Sequence, residues 1–242
     1  MFQFRSRTIR PNRLLLASLL AVAVPLSAQT ASKNDTRPTI AVLYLTNGAL
    51  ADNATYAPLS KGIAEMLITE LAQNNALRVV ERDRLQTLLE EQNLQSSDRV
   101  DKETALKLGK ILGSRHMLMG SFVIDLNRNM RIDVRAVNTE TSAIDYVETV
   151  SGKSDKLLEL VIQLGAKVNA GLKLPALKMA SATTPASKSP NQFKALLAMS
   201  RALEAEDTKD IEGAKTLYKS AIAMNPDFDR ARIRLASMEL GR

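Results

Sequence analysis

Apolar positions between residues 59 and 80 follow two different periods, which predict a helix and then a strand. Ile63, Met66, Leu67 and Leu71 recur at the i, i+3, i+4, i+8 spacing of an amphipathic helix. The apolar stripe of this helix therefore has to cover a sheet. Leu77–Val80 follows as a short apolar run rich in β-branched residues, which predicts a strand.

Two further helices are predicted after this strand. Leu85, Leu88 and Leu89 lie on one face of the first of them. The second begins after Asp101, a residue type that caps helix N-termini, and ends at Gly113, where a left-handed residue is favoured. The apolar positions of the second helix are Ala105, Leu108 and Leu112.

The other predicted strands lie on either side of these helices. Thr39–Leu45 is apolar on both faces, which is typical of a central strand covered by helices. His116–Leu126 is a third strand, and the alternation of polar and apolar residues in Arg131–Val137 predicts a half-exposed fourth. Ala143–Val150 pairs back as a fifth strand, so this part of the sheet is predicted to be antiparallel. A last helix is predicted over Asp155–Leu172.

Together these elements predict an α/β domain over residues 38–173, with a mixed sheet of about five strands covered by helices. Residues 174–190 contain Pro175, Pro185 and Pro190 among Ala, Ser, Thr and Lys, and they predict a flexible linker. Residues 191–242 show a helical pattern again and predict a small all-α unit.

The pattern of small and aromatic residues within the C-terminal segment resembles a tetratricopeptide repeat. Ala214, Tyr218, Ala221 and Pro226 have the relative spacing of that repeat. The preceding helix fits less well, since Arg201 stands where the repeat usually has leucine. One repeat with a capping helix falls short of the three or so that are stable alone. We therefore expect this unit to dock on the first domain or on another molecule.

Five segments of the first domain resemble the CsgG family, the curli-secretion proteins of the bacterial envelope. They read IAVLYLTN, IAEMLITELAQ, LRVVERDRLQTLLEEQ, ALKLGKILGS and HMLMGSF. The resemblance covers Thr39 to Leu172 and implies a CsgG-like domain. The curli channel also has inserted β-hairpins, for which this sequence has no room between its predicted strands. The pore function is therefore not expected here.

The first 28 residues have the pattern of a secretory signal peptide. Four arginines and no acidic residue precede the apolar run Leu14–Leu26, which is short for a membrane span and is followed by Ala28. A retained membrane anchor is the less favoured alternative. Cleavage would lower the formal net charge from +7 to +3, because all four arginines leave with the peptide. The mature chain has no basic run interleaved with aromatic residues, so nucleic acid is not an expected partner.

The candidate chemistry in the sequence is sparse. The chain has no cysteine and one histidine, His116, which is better explained by a structural role than by metal binding. The absence of cysteine also argues against lipidation, by which many CsgG-like proteins are anchored. Neither Ser114 nor Ser121 lies in a nucleophile motif. Glu81 and Arg82 follow a strand, but pairing of Glu81 with a neighbouring arginine at a helix start explains them more simply.

We therefore predict no catalytic, cofactor-binding or metal-binding residue, no cofactor and no enzymatic activity, and the partner-binding residues stay unknown. The resemblance implies a periplasmic adaptor in the assembly or secretion of a cell-surface or outer-membrane structure. Its expected partners are other envelope proteins, with self-association into a ring as a further option, and no small-molecule substrate is expected. The alternative is a periplasmic regulator of a cell-wall synthase, similar to the LpoB-type activators of penicillin-binding proteins.

Overall fold

A mixed six-stranded sheet forms the centre of the computed structural model, which describes residues 35–94, 100–173 and 191–240. The described residues from Thr36 onward form one compact unit. The strand order is β3-β1-β4-β5-β6, with β2 also paired to β4. The strands are β1 Thr39–Val42, β2 Thr46–Asn47, β3 Arg78–Val79, β4 His116–Ile124, β5 Asn129–Asn138 and β6 Ile144–Lys153.

Helices cover this sheet, and the α/β fold class predicted from the sequence is confirmed. In the first two described ranges they are α1 Asn53–Tyr56, α2 Leu59–Ala72, α3 Arg82–Glu91, α4 Lys102–Leu112 and α5 Leu157–Gly171. The third range contains α6 Gln192–Asp207, α7 Ile211–Met224 and α8 Asp229–Glu239. None of the helices in the described residues is long and apolar enough to cross a bilayer.

The sheet has a parallel part and an antiparallel part, as its sequence pattern predicted. β1 is fully buried and runs parallel to both β3 and β4. β4, β5 and β6 are antiparallel, and Arg131, Asp133 and Arg135 alternate with buried residues along β5. Gly152 of β6 lies close to α5, because a Cβ added to this glycine would touch Leu160. α5 therefore covers one face of the sheet. A Cβ on Gly109 of α4 would touch Met117 on the opposite face.

The sequence pattern did not predict strand β2, which follows β1 directly. The chain continues beside β4 there, and Gly48 N–H donates to the Phe122 carbonyl at 2.8 Å. Thr46 and Asn47 are polar, so no hydrophobic pattern indicated the pairing. Backbone hydrogen bonds, which any residue except proline can donate, form this strand.

The predicted ends of α4 are confirmed. Asp101 accepts a hydrogen bond from the Thr104 N–H at 2.8 Å, which satisfies one of the free donors at the helix start. Gly113 closes the helix with φ of 64°, in the left-handed region that favours glycine. Local sequence signals therefore set both ends of this helix.

The C-terminal helices dock on the sheet domain, which was one of the two expected arrangements. α6 packs directly on α2, where a Cβ on Gly62 would clash with Ser200. Ala214, Tyr218 and Ala221 of α7 are completely buried. The assignment to the tetratricopeptide type and the boundaries 38–173 and 191–242 stay predictions. The predicted signal peptide, 1–28, and linker, 174–190, lie outside the described residues.

Candidate functional site

The single histidine lies in a polar contact that joins two strands of the sheet. His116 Nε2 is 2.9 Å from Asp145 Oδ2, and Asn138 Nδ2 donates to the same oxygen at 2.9 Å. These hydrogen bonds, with that of Asn138 the larger cause, lower the pKa of Asp145. The buried Ser114 hydroxyl makes no hydrogen bond to the imidazole. No group of metal-ligating residues occurs in the described ranges. The contact joins β4 to β6, and the structural role of His116 stays a prediction.

The charged pair that follows β3 is divided between solvent and interior. Glu81 is the N-cap residue of α3, and its side chain is exposed. Within the described residues it forms no ion pair with an arginine, although such a pair was expected from the sequence. Arg82 is instead buried, with its side chain 3% exposed. Its guanidinium donates to Asp207 Oδ1 at 2.8 Å and to Glu206 Oε2 at 3.2 Å. Arg82 thus connects α3 to the end of α6.

Arg82 belongs to a larger charged network, which we call the junction cluster. Lys61 of α2 also donates to Asp207, at 2.6 Å, and Arg234 of α8 donates to Glu206 at 2.6 Å. The cluster connects α2 and α3 of the sheet domain to α6 and α8. Its four cations and four carboxylates are Lys61, Arg82, Arg230, Arg234, Glu65, Asp83, Glu206 and Asp207.

Burial makes the junction cluster sensitive to the loss of any one member. The Glu65 side chain is completely buried and forms an ion pair with Arg230, while Arg82 Nε lies 4.0 Å away. Burial alone would lower the pKa of Arg82, but Tyr44 and Asp207 beside it raise that pKa above its usual value. A charge left here without its partner would carry an uncompensated desolvation cost. The cluster therefore fixes the C-terminal helices to the sheet domain.

A groove lies between α2, the start of α5 and the α7–α8 turn, and we call it the α2–α8 groove. The apolar residues that line it are Met66, Leu158 and Phe228. Glu70 and Asp227 add carboxylates to its walls. The remaining lining residues are Thr69, Gln73, Asn225, Asp229 and Arg230.

Two of the groove carboxylates are not neutralised by the protein. Glu70 accepts a hydrogen bond from Gln73 at 3.0 Å, and burial raises its pKa. Within the described residues neither Glu70 nor Asp227 has a cationic partner. By contrast, Asp229 forms an ion pair with Arg232. Arg230 is directed toward the buried Glu65, so its charge is already compensated. The groove is therefore lined by apolar side chains and by two carboxylates, Glu70 and Asp227, that have no cationic partner within the described residues.

The sheet edge formed by β6 is a second exposed surface. β6 pairs only with β5 in the described part of the chain, and its Ile144 and Val147 side chains are 47% and 63% exposed. The strand carries a register irregularity near its start and an inward-facing Glu148 that accepts from Lys167 at 2.9 Å. Bulges and inward charges are devices that discourage pairing with another strand. We therefore take the α2–α8 groove, rather than this sheet edge, as the candidate binding site.

Comparison with known families supports the CsgG-like domain. The family model described as curli production assembly/transport component CsgG matches residues 21–131. The match begins within the predicted signal peptide and ends in β5, so it does not include the C-terminal helices. No match was found among the curated proteins.

Several solved structures are similar at low sequence identity. The LpoB C-terminal domain from Escherichia coli is 17% identical, with a TM-score of 0.37 over 51% of this chain and 87% of that chain. The PelC dodecamer from Paraburkholderia phytofirmans is 14% identical, with a TM-score of 0.36 over 58% and 90%. The lipoprotein GNA1162 from Neisseria meningitidis is 14% identical, with a TM-score of 0.36 over 60% and 98%. Similarities at this level carry no argument about what this chain does.

Proposed function

We propose that this chain is a non-enzymatic adaptor of the bacterial cell envelope. It acts by protein–protein binding in the assembly or secretion of a cell-surface or outer-membrane structure. The observation that carries the proposal is the CsgG family match over residues 21–131, which supports an envelope protein of the adaptor type. The absence of cysteine and the single histidine in the sequence favour binding over catalysis.

Under this proposal the protein acts in the periplasm and consists of a CsgG-like domain and a helical C-terminal unit. Export by a cleaved signal peptide at residues 1–28 would deliver it to the periplasm, where it stays without a lipid anchor because the sequence has no cysteine. A tetratricopeptide-like unit at 191–242 would then add a helical binding surface to the CsgG-like domain at 38–173. The junction cluster supports a role in which both parts present one rigid surface to a partner.

We expect this protein to be recovered from the periplasm together with envelope assembly or secretion proteins. The test is formaldehyde crosslinking in cells that produce the tagged full chain, release by osmotic shock, and identification of crosslinked proteins by mass spectrometry. A tagged exported protein of unrelated fold serves as the control for nonspecific capture. Capture of a penicillin-binding protein alone would favour the regulator alternative, and recovery only from the cytosol would contradict the proposal.

A further inference from the structure

Leu158 is the apolar side chain that the α2–α8 groove leaves partly exposed, whereas Met66 and Phe228 beside it are only 4% and 8% exposed. Met66 lies on α2, Phe228 closes the α7–α8 turn, and Leu158 is a half-buried residue at the start of α5. Side chains from three separate elements thus meet in one concave surface. Burial of apolar side chains in such a groove is the main source of affinity for a bound segment.

The two carboxylates that line the groove, Glu70 and Asp227, favour a positively charged ligand. Glu70 and Asp227 have no cationic partner within the described residues, and the stem of Glu70 packs close to Gly165. Glu70 is partly buried and Asp227 is exposed. A partly buried carboxylate such as Glu70 is stabilised when a cation approaches it, because burial has removed part of its hydration. Burial does raise the pKa of Glu70, as expected for such a site. A ligand with lysine or arginine would supply the missing positive charge.

We infer that the α2–α8 groove binds a partner-protein segment that carries apolar side chains flanked by lysine or arginine. Apolar side chains of the segment fill the space over Leu158 and Phe228, and its cations approach Glu70 and Asp227. The inference rests on the proposed adaptor function and adds to it a surface and a partner chemistry. Because the groove lies between the sheet domain and the C-terminal helices, its shape depends on the docking of both parts.

Fluorescence anisotropy with short labelled peptides tests this inference on the full chain without its predicted signal peptide. The probe KLLKLFK is compared with ELLELFE, which reverses the charges, and KSSKSSK, which removes the apolar side chains. We expect both controls to bind about tenfold more weakly than the probe or worse. The double variant Glu70→Gln with Asp227→Asn should weaken binding of the probe by about tenfold, because both changes remove charge and nearly preserve shape.

A matched double variant, Glu140→Gln with Asp155→Asn, removes the same charge at two exposed positions outside the groove. It should leave binding of the probe unchanged, and thermal melting should show that both double variants stay folded. Equal binding of the basic and acidic peptides, or equal loss in the two double variants, would overturn the inference. Dissociation of a homo-oligomer by the groove variant would assign the groove to a second copy and overturn it as well. Peptide binding without capture of envelope proteins would instead contradict only the adaptor function.

Discussion

Replacement of Arg82 by alanine is expected to destabilise the protein by about 3 kcal/mol, since it removes one of the two cations that contact each of the largely buried carboxylates Asp207 and Glu206. Arg82 is 3% exposed and donates to Asp207 and Glu206, which lie at the end of α6. The free energy lost is mainly the desolvation cost of these carboxylates, which the remaining cations offset only in part. α6–α8 should therefore become more mobile or separate from the sheet domain.

Urea unfolding followed by circular dichroism measures this effect, and hydrogen exchange locates it. Arg84→Ala is the matched control, because Arg84 lies on the same helix but is exposed, and its replacement should change the free energy of unfolding by less than about 0.5 kcal/mol. In a double-mutant cycle, Arg82→Ala and Asp207→Ala should cost clearly less together than the sum of their separate effects. Equal stability of the Arg82 and Arg84 variants would show that the junction cluster does not hold the C-terminal helices.

The crossing of α2 and α6 is expected to tolerate no side chain at Gly62. Glycine to alanine in a helix normally stabilises a protein by up to about 1 kcal/mol. At this position the new Cβ would lie 1.8 Å from the Ser200 Oγ and 2.9 Å from the Ser200 Cβ. Such overpacking typically costs about 1–3 kcal/mol, so Gly62→Ala should lower the stability despite the better helix propensity.

Removal of the Ser200 side chain should restore part of this stability. Ser200→Gly takes away the two atoms that would clash, and we expect the double variant with Gly62→Ala to melt above the Gly62→Ala single variant. Ser200→Gly alone is the control, because it loses the hydrogen bond to the Leu196 carbonyl and adds a helical glycine. A higher melting temperature for Gly62→Ala than for the unmodified protein would show that α2 and α6 are not in close contact.

Local signals in the sequence were sufficient to predict most of the sheet and the helices other than the short α1, Asn53–Tyr56. The cap at Asp101, the glycine at Gly113 and the alternation along β5 each depend on neighbouring residues only. The junction cluster depends on long-range contacts, since Arg82 and Asp207 are 125 residues apart. No spacing rule could therefore pair them. The short strand β2 was missed because its residues are polar and its pairing uses backbone groups.

The sequence did contain one signal for the junction cluster, the carboxylate of Glu65, but this signal was not sufficient to predict the cluster. Glu65 lies in α2 between Ala64 and Met66, and all three residues are buried in the structure. A carboxylate in such a helix indicates a buried cationic partner, although the sequence cannot say which one. The α2–α8 groove gave no signal, because its walls come from α2, α5 and the α7–α8 turn, which only the docked fold brings together.

Surface proteomics of a deletion strain tests the proposed adaptor function most directly. Loss of the gene should remove a defined set of surface or outer-membrane proteins from the cell surface and leave them in the periplasm. The unmodified chain should restore them, and the variant Glu70→Gln with Asp227→Asn should restore them less well than its matched control. Muropeptide composition, measured in parallel, should stay unchanged. An unchanged surface proteome together with altered peptidoglycan crosslinking would contradict the adaptor function.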